Sequence, residues 1–106
     1  MTERLRITHS YFKRSISHGV TLVDFDAPWS SPCRAQKPVL ETLKSRYRGK
    51  AAVQEINIDE NPAIAMDFGI QSIPTTIIFK EGREIFRFIG LQPRKTLEKA
   101  LRAALS

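Results

Sequence analysis

The apolar positions of this chain fall into short segments that alternate between two periods. Val20-Thr21-Leu22-Val23-Asp24-Phe25 is dense in β-branched and aromatic residues, which predicts a strand covered on both faces. Asp24 is the odd member of that run, and a carboxylate there needs a reason. Ala51 to Ile58 reads as a second buried strand. Thr75 to Lys80 and Arg83 to Ile89 are two further β-rich runs, joined so tightly at Glu81-Gly82 that only an antiparallel hairpin is economical. Between these runs the period changes. Leu40, Leu43 and Tyr47 repeat at i, i+3 and i+7, which predicts a helix from Pro32 or Cys33 to about Tyr47, with Pro38 expected to kink it. Leu97, Ala100, Leu101, Ala104 and Leu105 mark a last helix opening at Pro93.

Three shorter elements complete the reading. Leu5 to Ile7 suits a brief first strand, and Ser10 to Ser17 a helix closed by His18-Gly19. Asn61-Pro62 offers an N-cap followed by proline at the first helical position, and Gly69 closes the short helix that follows. From Val20 onward the order is βαβαββα, which implies an α/β fold with a mixed central sheet and helices on both faces.

Composition narrows the class. A chain of 106 residues with 42% apolar content suits one compact domain, expected to span 1–106. The opening residues hold no apolar stretch of signal-peptide length, so a soluble, cytoplasmic protein that does not enter the membrane is expected. Seventeen Lys and Arg against eleven Asp and Glu leave a formal charge of +6. These cations are scattered along the chain, often beside acids such as Glu41, Glu81, Glu84 and Glu98. That pattern fits a solvated surface better than a nucleic-acid interface, and no nucleic-acid partner is expected. The single cysteine, Cys33, excludes an intrachain disulfide and any thiolate cluster. His9 and His18 lack companions at ligand spacing, so neither a metal nor a cofactor is expected.

Chemistry concentrates where the buried strand runs into the helix, at Asp24-Phe25-Asp26-Ala27-Pro28-Trp29-Ser30-Ser31-Pro32-Cys33. Reactive groups of α/β proteins gather at such junctions, where the first-turn N–H groups and the helix dipole stabilise an anion. The segment resembles the thioredoxin family, whose Trp-Cys-Gly-Pro-Cys motif lines up with Trp29-Ser30-Ser31-Pro32-Cys33. The resemblance covers nearly the whole chain: Val23-Asp24-Phe25, Ala27-Pro28-Trp29, Pro38, Asn57 to Pro62, Gly69-Ile70, Ser72-Ile73-Pro74-Thr75 and Gly90. It implies the thioredoxin fold and, with cysteine at position 30, thiol–disulfide exchange. An exposed nucleophile at position 30 attacks a substrate disulfide, Cys33 resolves the mixed disulfide, and buried Asp24 trades a proton with Cys33. Trp29, Ser31, Pro32, a cis Ile73-Pro74 bond and Gly90 form the substrate face. Disulfide-bearing proteins and a thioredoxin reductase are the implied partners of a monomer. Read singly, Trp29 could merely pack, Pro74 merely end a loop and Gly90 merely permit a turn.

Ser30 departs from the family at the decisive place. A hydroxyl forms no disulfide, so this form is not expected to complete a dithiol cycle. Because the other features of the exchange site are present, Ser30 is read as an introduced replacement for a native cysteine. The alternative is a natural redox-silent binding module. Ser31 replaces the motif's glycine, Asp26 stands where many relatives carry an aromatic residue, and Glu55 stands where many carry lysine. Asp26 is expected to be a solvated charge at the strand end. If Glu55 turns towards Asp24, like-charge repulsion should raise at least one of their pKa values.

Overall fold

A computed structural model describes residues 8–106; the short strand expected at Leu5–Ile7 lies outside them. The elements are α1 (His9–Ser15), β1 (Val20–Asp26), α2 (Ser31–Arg46), β2 (Ala51–Asn57), α3 (Pro62–Asp67), β3 (Thr75–Lys80), β4 (Arg83–Ile89) and α4 (Arg94–Leu105). Four strands form one mixed sheet in the order β2-β1-β3-β4. β1 runs parallel to β2 and antiparallel to β3, and β3 and β4 form the expected hairpin. From β1 to α4 the order is βαβαββα, as the pattern implies.

The central strand explains its own composition. All seven residues of β1 are buried, because neighbours flank it on both sides and helices cover both faces. On one face Val20 and Leu22 meet Leu40 and Leu43 of α2, Leu97 and Leu101 of α4, and Ile78. On the other, Val23 and Phe25 meet Phe12 and Ile16 from the α1 region, Ile64 of α3, and Ile77 and Phe79. Strand alternation therefore places Asp24 and Asp26 on the α2 side, in line with Val20 and Leu22.

β2 corrects one expectation. Among the described residues it is an edge strand, and only Ile56 of its seven residues is buried. Its apolar residues instead split between faces: Ala51 and Val53 pack towards α2 and α4, while Ile56 joins the α1/α3 cluster. An apolar run reports that a strand packs, not where in the sheet it sits. The hairpin turn is tight because Glu81 and Gly82 both take positive φ, 52° and 83°. Glu81 accepts that conformation while its carboxylate receives the Gly19 N–H at 2.7 Å. Asn61 occupies the N-cap of α3 but makes no side-chain capping bond; its amide donates to the Asn57 carbonyl at 3.0 Å. α2 continues through Pro38 to Arg46. No helix among the described residues is long and apolar enough to cross a membrane.

Candidate active site

β1 delivers the chain to its C-terminal edge at Asp26, and a loop of four residues turns it into α2. Ser30 caps that helix: its backbone is extended, and its hydroxyl accepts the Cys33 N–H at 3.4 Å. Cys33 is a free thiol only 2% exposed. Ser30 is itself only 6% exposed, whereas the resemblance implies an exposed nucleophile where cysteine stands at position 30. A hydroxyl is a good acceptor for a first-turn amide, so it turns inward to cap the helix. Ser31 and Pro32 are exposed on the first turn.

The sheet register gathers the remaining candidates at the same end. Phe25 pairs with Thr75, and Thr75 with Ile89, so the loop after β1, the entry to β3 and the exit from β4 lie side by side. The Ile73–Pro74 peptide is cis, and the Pro74 carbonyl accepts the Gly90 N–H at 2.8 Å. Gly90 has φ +91°, and a Cβ built on it would meet nothing within 4 Å. Glycine there serves the backbone conformation and leaves open space beside it. Trp29, Ile89 and Leu91 are exposed, and the Trp29 indole N–H donates to Asp59 at 2.7 Å. Trp29 is thus a surface group tethered at its polar edge and does not pack into the core.

Gln36 is a functional candidate that the sequence reading missed. It is fully buried on α2, accepts the Gln92 N–H at 2.9 Å and donates to the Gln92 carbonyl at 3.0 Å. This pair of bonds fixes the segment after Gly90 against the helix carrying Cys33. The available signal was a polar residue on the buried stripe, three positions after Cys33 and four before Leu40.

Beneath the junction lies a nest of acids. Asp24 is fully buried, Asp26 is 6% exposed, and Glu55 stands opposite Asp24 in the parallel register. Carboxylate oxygens of the three lie within 4.8 Å of one another, a spacing that a cation could bridge. Lys37 of α2 already meets Glu55 at 2.5 Å. Both Asp24 oxygens, Asp26 Oδ2 and Thr76 Oγ have no hydrogen-bond partner among the described residues. Burial pushes the Asp24 carboxyl up from its ordinary 3.8 to about 9. The neighbouring Asp26 carboxyl and the negative charges of Asp26 and Glu55 reinforce the shift, and Lys37 opposes it. The expected influence of Glu55 is therefore present. Asp26 is corrected from solvated to buried: Ala27, also buried, follows it, and the chain reaches solvent only at Pro28. A cavity of about 180 Å³ sits beside it, lined by Asp26, Cys33, Arg34, Lys37, Glu55 and Asn57 among others. A larger groove of about 550 Å³, around Val20, Lys44 and Ala51, lies at the opposite end of the sheet.

Comparison with known proteins settles the family. The Thioredoxin family profile matches residues 3–103. The chain belongs to the thioredoxin family. Thioredoxin from Staphylococcus haemolyticus is 43% identical over 97 residues, covering 92% of this chain and 93% of that protein. Thioredoxin from Staphylococcus aureus strain Mu50 is 40% identical over the same shares. Among solved structures, a mutant thioredoxin from Halobacterium salinarum superimposes with TM-score 0.84 at 30% identity, covering 96% of this chain and 88% of that one. Malassezia sympodialis thioredoxin gives TM-score 0.83 at 29% identity, covering 93% and 87%.

Within this thioredoxin-family fold, Trp29, Ser30, Ser31, Pro32 and Cys33 occupy one junction. Asp24 lies on the α2 face of β1, and Ile73, Pro74 and Gly90 stand at the same sheet end. One sulfur at the junction can join an intermolecular disulfide but closes no disulfide within the chain.

Proposed function

We propose that this junction is a thiol–disulfide exchange site in which Ser30 stands at the position of the nucleophile. With cysteine there, the thiolate at position 30 attacks a disulfide in a client protein and releases the first client sulfur. Cys33 then attacks the sulfur at position 30, releasing the second client sulfur and closing the 30–33 disulfide. Asp24, in its ionised form, accepts the proton that Cys33 gives up. Trp29, Ser31, Pro32, Ile73, Pro74 and Gly90 form the face on which an extended client segment lies. A thioredoxin reductase returns the site to the dithiol. We take residues 1–106 as one monomeric cytoplasmic domain. As it stands, the chain binds clients without completing the cycle, and Ser30 replaces a native cysteine.

The observation that carries this reading is Asp24. It is fully buried and neither oxygen has a hydrogen-bond partner among the described residues. Such an acid costs stability, whereas a protein surface that only binds has no need of one. Disulfide reduction of an insulin-type substrate, coupled to a reductase, tests it. Ser30→Cys should turn over substrate while the unsubstituted chain stays at background. Two inactive proteins that still bind the same partner would support a redox-silent binding module instead.

A further inference from the structure

Asp26 is not explained by the exchange chemistry assigned above, and its surroundings are specific. Asp24 and Asp26 project from β1 onto the same face, and Glu55 joins them from β2, with carboxylate oxygens of all three within 4.8 Å of one another. Exposure rises outward, from Asp24 at 0% to Asp26 at 6% to exposed Glu55. Lys37 neutralises the outer acid through its contact with Glu55. Among the described residues the inner two carboxylates form no ion pair, Lys37 acting on them only from a distance, and neither Asp24 oxygen nor Asp26 Oδ2 has a donor. Two ionised carboxylates in that state repel each other and leave acceptors unsatisfied. A single proton between them relieves both costs.

The cavity supplies the second part. Asp26 and Cys33 line it together with Arg34 and Lys37 from α2 and Glu55 and Asn57 from β2. Asp24 is not among its lining residues; Thr76 stands opposite it in the register with β3, and the Thr76 hydroxyl has no hydrogen-bond partner among the described residues. At about 180 Å³ the cavity has room for water. We propose that Asp26 shares a proton with Asp24 and connects it, through the cavity beside Cys33, to solvent at the Lys37–Glu55 pair. Asp26 is then a positioning residue for exchange. When Cys33 attacks the mixed disulfide, the bond between the sulfur at position 30 and the client sulfur breaks and the 30–33 bond forms. The client sulfur leaves with the electron pair as a thiolate, and the Cys33 proton passes to the ionised member of the Asp24–Asp26 pair, which in turn releases one proton through the cavity.

This inference rests on the exchange reading for its role in catalysis, but the shared proton can be tested without it. Carbon-13 NMR of the side-chain carboxyls, followed across pH in the unsubstituted chain, should show two titration steps, each visible at both Asp24 and Asp26. In Asp26→Asn, Asp24 should titrate in one step at lower pH. In Ser30→Cys, adding Asp26→Asn should move the pH profile of the resolving step to lower pH by about one unit or more, with KM unchanged. A merely structural Asp26 would change the amplitude and leave the profile in place. Independent single steps at the two residues, or an Asp24 titration indifferent to Asp26→Asn, would overturn the proposal. Loss of turnover in Ser30→Cys itself would instead remove the exchange reading and leave the carboxyl titrations to be judged alone.

Discussion

The two faces of the sheet are built from alternate residues of the same strands, and they are finished differently. On the α1/α3 face Phe12 packs edge-on against Phe25, Phe68 and Phe79, with ring centroids 5.4–6.3 Å apart. The α2/α4 face is equally apolar at one end, where Leu22 meets Leu40, Leu43 and Leu101. Two residues further along β1 it holds Asp24, then Asp26, with oxygens that have no partner among the described residues. The same strand, with every residue buried, thus carries a side of satisfied apolar packing and a side with buried acids left unsatisfied among the described residues.

Breaking the apolar face should give the largest effect. Phe12→Ala removes a fully buried ring from the aromatic cluster and should destabilise the fold by about 3–5 kcal/mol in denaturant unfolding, with the motif loop unaltered. The acidic end should answer with the opposite sign. Asp24 has a folded-state pKa of about 9 against an ordinary 3.8, so the native state holds more protons than the unfolded chain between those values. Stability should therefore fall as pH rises through that window and level off above it. Asp24→Asn should flatten this dependence, stabilising the protein by about 1–3 kcal/mol near pH 9 and by almost nothing near pH 4, as thermal or denaturant unfolding would show. A smaller loss is expected at the link between α2 and the loop after Gly90. Gln36→Ala leaves the Gln92 N–H without its acceptor and should cost about 1–2 kcal/mol, with faster amide exchange over residues 90–92.

Much of this contrast was legible in the sequence. The hairpin at Glu81-Gly82, the stripe of α2 and the strand around Asp24 follow from period and turn chemistry, because those signals are local. The position of a strand within the sheet is not local, which is why β2 read as buried and lies at the edge of the described sheet. Asp26 was misread for a related reason: a charge near a strand end is usually solvated, and only the packing of α2 over β1 shows that this one is covered. Ser30 faces inward because a hydroxyl at an N-cap can accept a first-turn amide, here that of Cys33. Gln36 could have been found on the α2 stripe, but its partner, a backbone group 56 residues away, could not.

The claim beneath the rest is that positions 30 and 33 share the mouth of α2 closely enough for their sulfurs to bond. Mild oxidation of Ser30→Cys, followed by thiol counting and intact mass under non-reducing conditions, tests it directly. A monomer with no free thiol and a mass lower by two hydrogens is the predicted result. Two thiols that stay free, or a disulfide that forms only between chains, would contradict it.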